Sequence, residues 1–102
     1  MLGGGLAGGQ AILPDGWIAE ATTPKSLRGG TPLDYGYLWW PGTSAAARRD
    51  HAYCAEGIYG QFIYVNPAAN VVIVLWSAWP KPTAGAAFDS RLFFDAVAEA
   101  LK

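Results

Sequence analysis

Residues 53–80, YCAEGIYGQFIYVNPAANVVIVLWSAWP, constrain the fold more than any other stretch of the chain. Two runs rich in β-branched and aromatic residues, 62–66 and 71–77, flank the short connection Pro67-Ala68-Ala69-Asn70. That pattern predicts an antiparallel hairpin. The second run opens with Val71-Val72-Ile73-Val74-Leu75-Trp76, apolar at every position. Such a run predicts a central strand covered on both faces. A glycine-punctuated segment, Gly57-Ile58-Tyr59-Gly60-Gln61, leads into the first run. A strand entered through glycines can bring bare backbone close to a substrate.

The remaining elements follow from turn and capping residues. Residues 1–9 are too rich in glycine to predict an element. Pro14-Asp15-Gly16 precedes Trp17-Ile18-Ala19-Glu20-Ala21, a short predicted helix ended by Thr22-Thr23-Pro24. Residues 24–33 read as loop. Residues 35–40 read as a strand, since Tyr, Leu and Trp favour pleated surfaces and Pro41-Gly42 stops the run. Residues 43–51 read as a polar, alanine-rich loop with room for a helical turn. Residues 53–56 form a further strand beside the hairpin. The C-terminus is predicted helical from about Asp89, with Asp89 or Ser90 as N-cap. Phe93, Ala96, Val97, Ala100 and Leu101 fall on one stripe, which is expected to lie on the sheet, with Arg91, Asp95, Glu99 and Lys102 largely opposite.

Cover for the apolar strand is the difficulty. The C-terminal helix accounts for one sheet face, and only the short Trp17 helix and loops remain for the other. Composition sharpens this: 102 residues, 52% hydrophobic and 15% charged, against about 25% charged in an average soluble domain. A missing domain or a partner chain would supply the cover. The net charge of −1 and the scattered basic residues, with Arg48-Arg49 the only basic pair, argue against nucleic-acid binding. The longest uninterrupted apolar run is residues 71–76, too short for a membrane span. The N-terminal segment lacks the charged and apolar regions of a secretory signal. The single cysteine, Cys54, leaves the redox compartment open; with Met1 as the true start, a cytoplasmic location is expected.

Several segments, in order, resemble the C-terminal third of the penicillin-recognising serine hydrolases. That group includes class C β-lactamases, related esterases and the aminohexanoate-oligomer (nylon-oligomer) hydrolases, and the likeness is closest to the last. Gln10-Ala11-Ile12-Leu13-Pro14-Asp15-Gly16-Trp17-Ile18 is similar to the family's connection ending in a Pro-x-x-Trp helix, and Glu20-Ala21-Thr22-Thr23-Pro24 continues it. Tyr35-Gly36-Tyr37-Leu38-Trp39-Trp40 resembles its tyrosine/tryptophan strand. Gly57-Ile58-Tyr59-Gly60-Gln61 and the Asn66-Pro67 turn resemble its active-site strand and hairpin.

The resemblance implies a site. The family's third motif, Lys-Thr-Gly or a relaxed version ending in glycine, falls at Ala55-Glu56-Gly57. Ala55 stands where the family has Lys or His, which disfavours recognition of a β-lactam carboxylate and favours the esterase or amidase branch. The residue after the motif, Ile58, would give its backbone N–H to an oxyanion hole, where a tetrahedral intermediate needs fixed donors. Gly57, Tyr59 and Glu56 would border the substrate, with Trp39 and Trp40 shaping the pocket. A plain β-bulge at the two glycines is the structural alternative.

The nucleophile half of such a site is missing. The family's Ser-x-x-Lys is absent: Ser26, Ser44, Ser77 and Ser90 have no lysine three residues on. Tyr64-Val65-Asn66 matches the letters of the second motif but sits on the wrong strand, and reads as a strand end feeding a turn. Gly42-Thr43-Ser44-Ala45-Ala46 nearly mimics a nucleophile elbow, yet lacks its last glycine, and Asp50 and His51 lie too close together for the usual order of a triad. His51 and Cys54 could offer two metal ligands where a structural zinc site needs four. Cys54 reads as a small buried apolar residue. The abundant Trp and Tyr fit core packing better than a carbohydrate or peptide surface.

The expectation is therefore an α+β chain: an antiparallel β-sheet with a C-terminal helix packed on one face, part of a β-lactamase/transpeptidase-like fold. Residues 1–34 would form a connection with a short helix, 35–77 the sheet strands, and 89–102 the terminal helix. Its expected role is that of a serine-hydrolase fragment for amide or ester bonds, inactive alone, with neither cofactor nor metal. Expected partners are the missing N-terminal part, or a second copy through the sheet, and a small amide or ester substrate in the whole enzyme. A non-catalytic aromatic-rich binding or assembly module is the alternative.

Overall fold

Extended, β-branched chain around the asparagine turn builds the centre of the molecule. In the computed structural model, which describes residues 2–83 and 89–102, four antiparallel strands run in the order β3-β4-β5-β6. They are β3 (Trp40–Pro41), β4 (Tyr53–Gly57), β5 (Gln61–Asn66) and β6 (Val71–Leu75). The register pairs Cys54 with Tyr64 and Tyr64 with Ile73, so these side chains share one face. Glu56, Phe62 and Leu75 form the next row on that face.

Helix α3 (Ser90–Ala100) covers this face, and the fold is α+β as expected. Its N-cap is Asp89, whose carboxylate accepts from the Arg91 and Leu92 N–H groups. Phe94 is fully buried and rests against Phe62 and Tyr64, with ring centroids 5.6 and 5.3 Å apart. Burial of that ring alone contributes about 2–3 kcal/mol. Cys54, Ala47, Ala52 and Ala98 complete the core.

The helix does not present the predicted stripe. Phe93, Ala96, Ala100 and Leu101 are exposed, while Ser90, Phe94 and Ala98 are buried. Polar partners on the sheet side set this rotation. Asp95 accepts from Tyr64 Oη at 3.0 Å and from Ser44 Oγ at 2.6 Å, and Arg91 Nε donates to Glu56 at 2.7 Å. Lys102 Nζ lies 2.7 Å from the Asp50 carboxylate. Residues expected to face solvent thus tie the helix down.

Strand β6 also departs from expectation. It is an edge strand, not a central one, and only its Ile73 and Leu75 face packs against the core. On the opposite face Val72, Val74, Ile63 and Trp76 are exposed, Trp76 at 87%. The apolar pattern of residues 71–76 therefore reflects a face that the described residues leave open.

The predicted strand at residues 35–40 is reduced to Trp40–Pro41. Leu38 takes a left-handed backbone (φ 65), which ends extension. The Tyr37 N–H donates to Ala21 O at 2.7 Å and the Gly36 N–H to Trp39 O, so the segment turns back onto helix α1 (Trp17–Thr22). Gly36 is required there, because a Cβ would collide with the Ala21 carbonyl. Pro41 pairs with Tyr53 instead of stopping the run, as an edge strand permits.

The glycine-rich start is ordered into a small hairpin, β1 (Leu6–Ala7) with β2 (Gln10–Ala11), around Gly8 and Gly9 at φ 57 and 80. Two consecutive left-handed glycines make the tight turn whose twist suits a hairpin. The helical turn allowed at residues 43–51 is α2 (Ala45–Arg49), capped by Ser44 Oγ, which accepts from the Ala47 N–H at 2.9 Å.

Candidate functional site

Strands β4 and β5 meet at a three-residue loop, Ile58-Tyr59-Gly60. The ladder runs unbroken from Tyr53–Val65 to Gly57–Gln61, so the glycines shape a hairpin end and not a bulge. Tyr59 and Gly60 both have positive φ, 66 and 87. Gly60 is dictated by space as well, since a Cβ would strike the Trp79 indole and Ser77 Oγ.

Residues 77–82 hold the loop from the side. The Tyr59 N–H donates to Pro82 O at 2.8 Å, and the Trp79 N–H to Tyr59 O at 2.9 Å. Gln61 Nε2 donates to Ser77 O at 2.8 Å, and Ser77 Oγ donates to Gly60 O. Gly57 lets Gln61 fold across, because a Cβ there would lie 2.9 Å from Gln61 Oε1. Among the described residues no acceptor takes the Ile58 N–H. The Gly60 N–H likewise meets no acceptor among the described residues, so the fixed loop carries two such donors, one on exposed Ile58 and one on buried Gly60.

The other expected residues divide between neighbouring surfaces. Glu56, Gly57 and Ile58 border a hollow of about 290 Å³ with Trp40, Phe62 and Trp79. The Glu56 carboxylate does not stand free in it. It pairs with Arg91 and accepts from Cys54 Sγ at 3.4 Å. Trp39 stacks edge-on against Tyr53, at 5.1 Å, away from Trp40. Tyr59 is half-exposed at the loop tip and outside the lining of the hollow.

Neither Ser44 nor Ser77 is poised as a nucleophile in the arrangement described. Ser44 Oγ caps α2 and donates to Asp95; Ser77 Oγ donates to Gly60 O. Asp50 is engaged by Arg49, Asn66 and Lys102 and makes no bond to His51 among the described residues. The nucleophile-elbow likeness at Ser44 is thus a helix cap. No group of three or more His, Cys, Asp or Glu among the described residues is placed to hold a metal ion. Cys54 is buried, and burial, with Glu56 beside it, pushes its thiol up to about 12. Among the described residues no helix is long and apolar enough to cross a membrane.

A polar network lies beyond what sequence spacing could reveal. Asn66 Nδ2 donates to Asp50 and to Tyr64 Oη, and Asn66 Oδ1 accepts from the Ala69 N–H at 2.9 Å. Asn66 thus ends β5 and shapes the following turn, as its place before Pro67 suggests.

No family model matches the chain. It is similar to the 6-aminohexanoate-dimer hydrolase of Paenarthrobacter ureafaciens, 30% identical over 91 residues. The match covers 80% of this chain and 22% of that protein, so the chain spans about a fifth of its relative's length. The likeness relates this sequence to a hydrolase.

Proposed function

We propose that this chain is the C-terminal part of a serine hydrolase of the β-lactamase-related group, acting on amide or ester bonds. The similarity to a 6-aminohexanoate-dimer hydrolase carries this reading. In the whole enzyme, a serine outside this chain attacks the substrate carbonyl. The Ile58 N–H, held on the β4–β5 loop and open to solvent, stabilises the developing oxyanion. Gly57 admits the substrate to the backbone, and Tyr59 and Trp40 border it. Glu56 enters through its backbone, since Arg91 engages its carboxylate. The missing N-terminal part is then the natural cover for the open sheet face.

Two measurements test this. The source DNA upstream of Met1 should contain an in-frame Ser-x-x-Lys followed by a tyrosine-centred second motif; a stop codon without such a frame overturns the proposal. The 102-residue chain alone should not turn over nitrocefin or a p-nitrophenyl ester above buffer. Robust turnover would show that this chain holds its own nucleophile.

A second reading, a non-catalytic binding or assembly module, is favoured by one observation: the exposed Ile63, Val72, Val74 and Trp76 face. A module should form a discrete species at all concentrations, whereas an orphaned half-sheet should aggregate or swap.

A further inference from the structure

The end of β4 is held differently from its start. Strand β3 pairs only with Tyr53 and Cys54, so among the described residues no strand borders the outer edge of Ala55, Glu56 and Gly57. Helix α3 supplies the hold instead. Phe94 rests against Phe62, which faces Glu56 across the β4–β5 ladder, and Arg91 lies three residues before Phe94 on the same side of the helix. That spacing sets Arg91 beside Glu56. Its Nε donates to Glu56 Oε1 at 2.7 Å, its Nη2 pairs with the same oxygen, and Cys54 Sγ lies 3.4 Å from it. Among the described residues Arg91 is the only cation paired with Glu56. We propose that Arg91 is a positioning residue for the oxyanion site: it draws the Glu56 carboxylate onto α3 and cancels its charge, so that the Ile58 N–H faces no bare anion.

Electrostatics gives this hold its purpose. Among the described residues Glu56 is the one charged residue that borders the hollow beside Ile58. The other walls are neutral and mostly apolar, with Trp40, Phe62, Trp79 and Pro82 among them. Such walls lower the effective dielectric, so a charge there reaches further than it would in water. A free carboxylate two residues before the donor would oppose the negative charge that the donor is there to stabilise. Paired with a guanidinium, the same carboxylate exerts little net field, and the pairing restrains the end of β4. The catalytic meaning of Arg91 rests on the hydrolase reading; its effect on the Ile58 N–H does not.

Amide exchange in the 102-residue chain reads that effect directly. The Ile58 N–H belongs to an exposed residue and meets no acceptor among the described residues, so its base-catalysed exchange passes through an amide anion that feels the local potential. Arg91→Gln should slow this exchange about tenfold at fixed pH, since a bare carboxylate then disfavours the anion. Arg91→Gln combined with Glu56→Gln should return it to within about twofold of the parent. Loosening of the strand alone would not slow the exchange, and the second substitution would not reverse it. In the whole hydrolase, Arg91→Gln should lower kcat about tenfold with KM nearly unchanged, and the double substitution should restore most of the loss. Unchanged or faster Ile58 exchange in Arg91→Gln, or a double variant as slow as the single one, would overturn the proposal. A whole enzyme active on amides or esters whose kcat ignores Arg91→Gln would overturn it while leaving the hydrolase reading in place; a parent chain without a nucleophile would overturn both.

Discussion

The side-chain amide of Asn66 donates to the Asp50 carboxylate at 2.9 Å, and both residues are almost wholly removed from solvent. This bond joins the end of β5 to the residue that closes α2. Arg49 and Lys102 reach the same carboxylate from α2 and from the C-terminus. Hydrogen bonds from Arg49 first, then Asn66 and Lys102, hold the Asp50 carboxyl far below the usual carboxylate range. Replacing Asn66 by Ala removes one partner each from Asp50 and Tyr64 and leaves the Ala69 N–H without its acceptor. The expected loss is about 2–3 kcal/mol, read as a lower urea midpoint with an unchanged slope.

The same carboxylate gives the chain a pH dependence. Its folded pKa is depressed, so its contribution is complete above the unfolded value of about 4. The contribution is lost as pH falls below that value towards the folded one. Thermal melts should therefore show stability falling steeply below about pH 4. Asp50→Asn should flatten that fall while lowering stability at pH 7. An identical acid limb in both proteins would remove Asp50 from the account.

Gly60 is fixed by conformation and by space. Its φ of 87 disfavours any side chain, and a Cβ would meet Trp79 and Ser77. Gly60→Ala should cost about 2–4 kcal/mol, combining left-handed strain with overpacking. Amide exchange should then rise first at Tyr59 and Trp79, whose backbone bonds pin the loop. A variant as stable as the parent would mean that residues 77–82 do not hold the hairpin.

Cys54 sits in the core with its thiol pushed up to about 12 by burial and the nearby Glu56. At pH 8 the folded chain should react with a disulfide reagent at least about a hundredfold more slowly than the chain in denaturant. Rapid reaction without denaturant would place Cys54 outside the core described for it.

What the sequence made legible was local. The hairpin of β5 and β6 follows from β-branched runs about a proline–asparagine turn, and α1 stops where Pro24 forbids continuation. The buried face of α3 is not legible in its periodicity because the partners of Asp95 and Arg91 are Ser44, Tyr64 and Glu56, all more than thirty residues away. Leu38 breaks the aromatic strand because Tyr37 docks on Ala21, which composition cannot show. Gly8-Gly9, between residues able to pair, is a turn signal that the surrounding glycines mask. At the candidate site, Gly57 and Gly60 announced a backbone feature, while the Arg91 hold on Glu56 needed the fold.

The open sheet face makes a prediction about assembly. Val72, Val74, Ile63 and Trp76 form an apolar surface along β5 and the edge strand β6, which carries no charge and pairs on one side only among the described residues. Exposed apolar strands of this kind recruit other chains, and an outward lysine is the usual protection. The 102-residue chain should therefore grow in size with concentration in sedimentation experiments and bind a hydrophobic dye. The double substitution Val72→Lys and Val74→Lys should suppress both effects. Its cost in stability should stay within about 1 kcal/mol, since both side chains are about half-exposed. If the unmodified chain instead stays a compact monomer and ignores the dye, this face is not an association surface, and the need for a covering segment disappears with it.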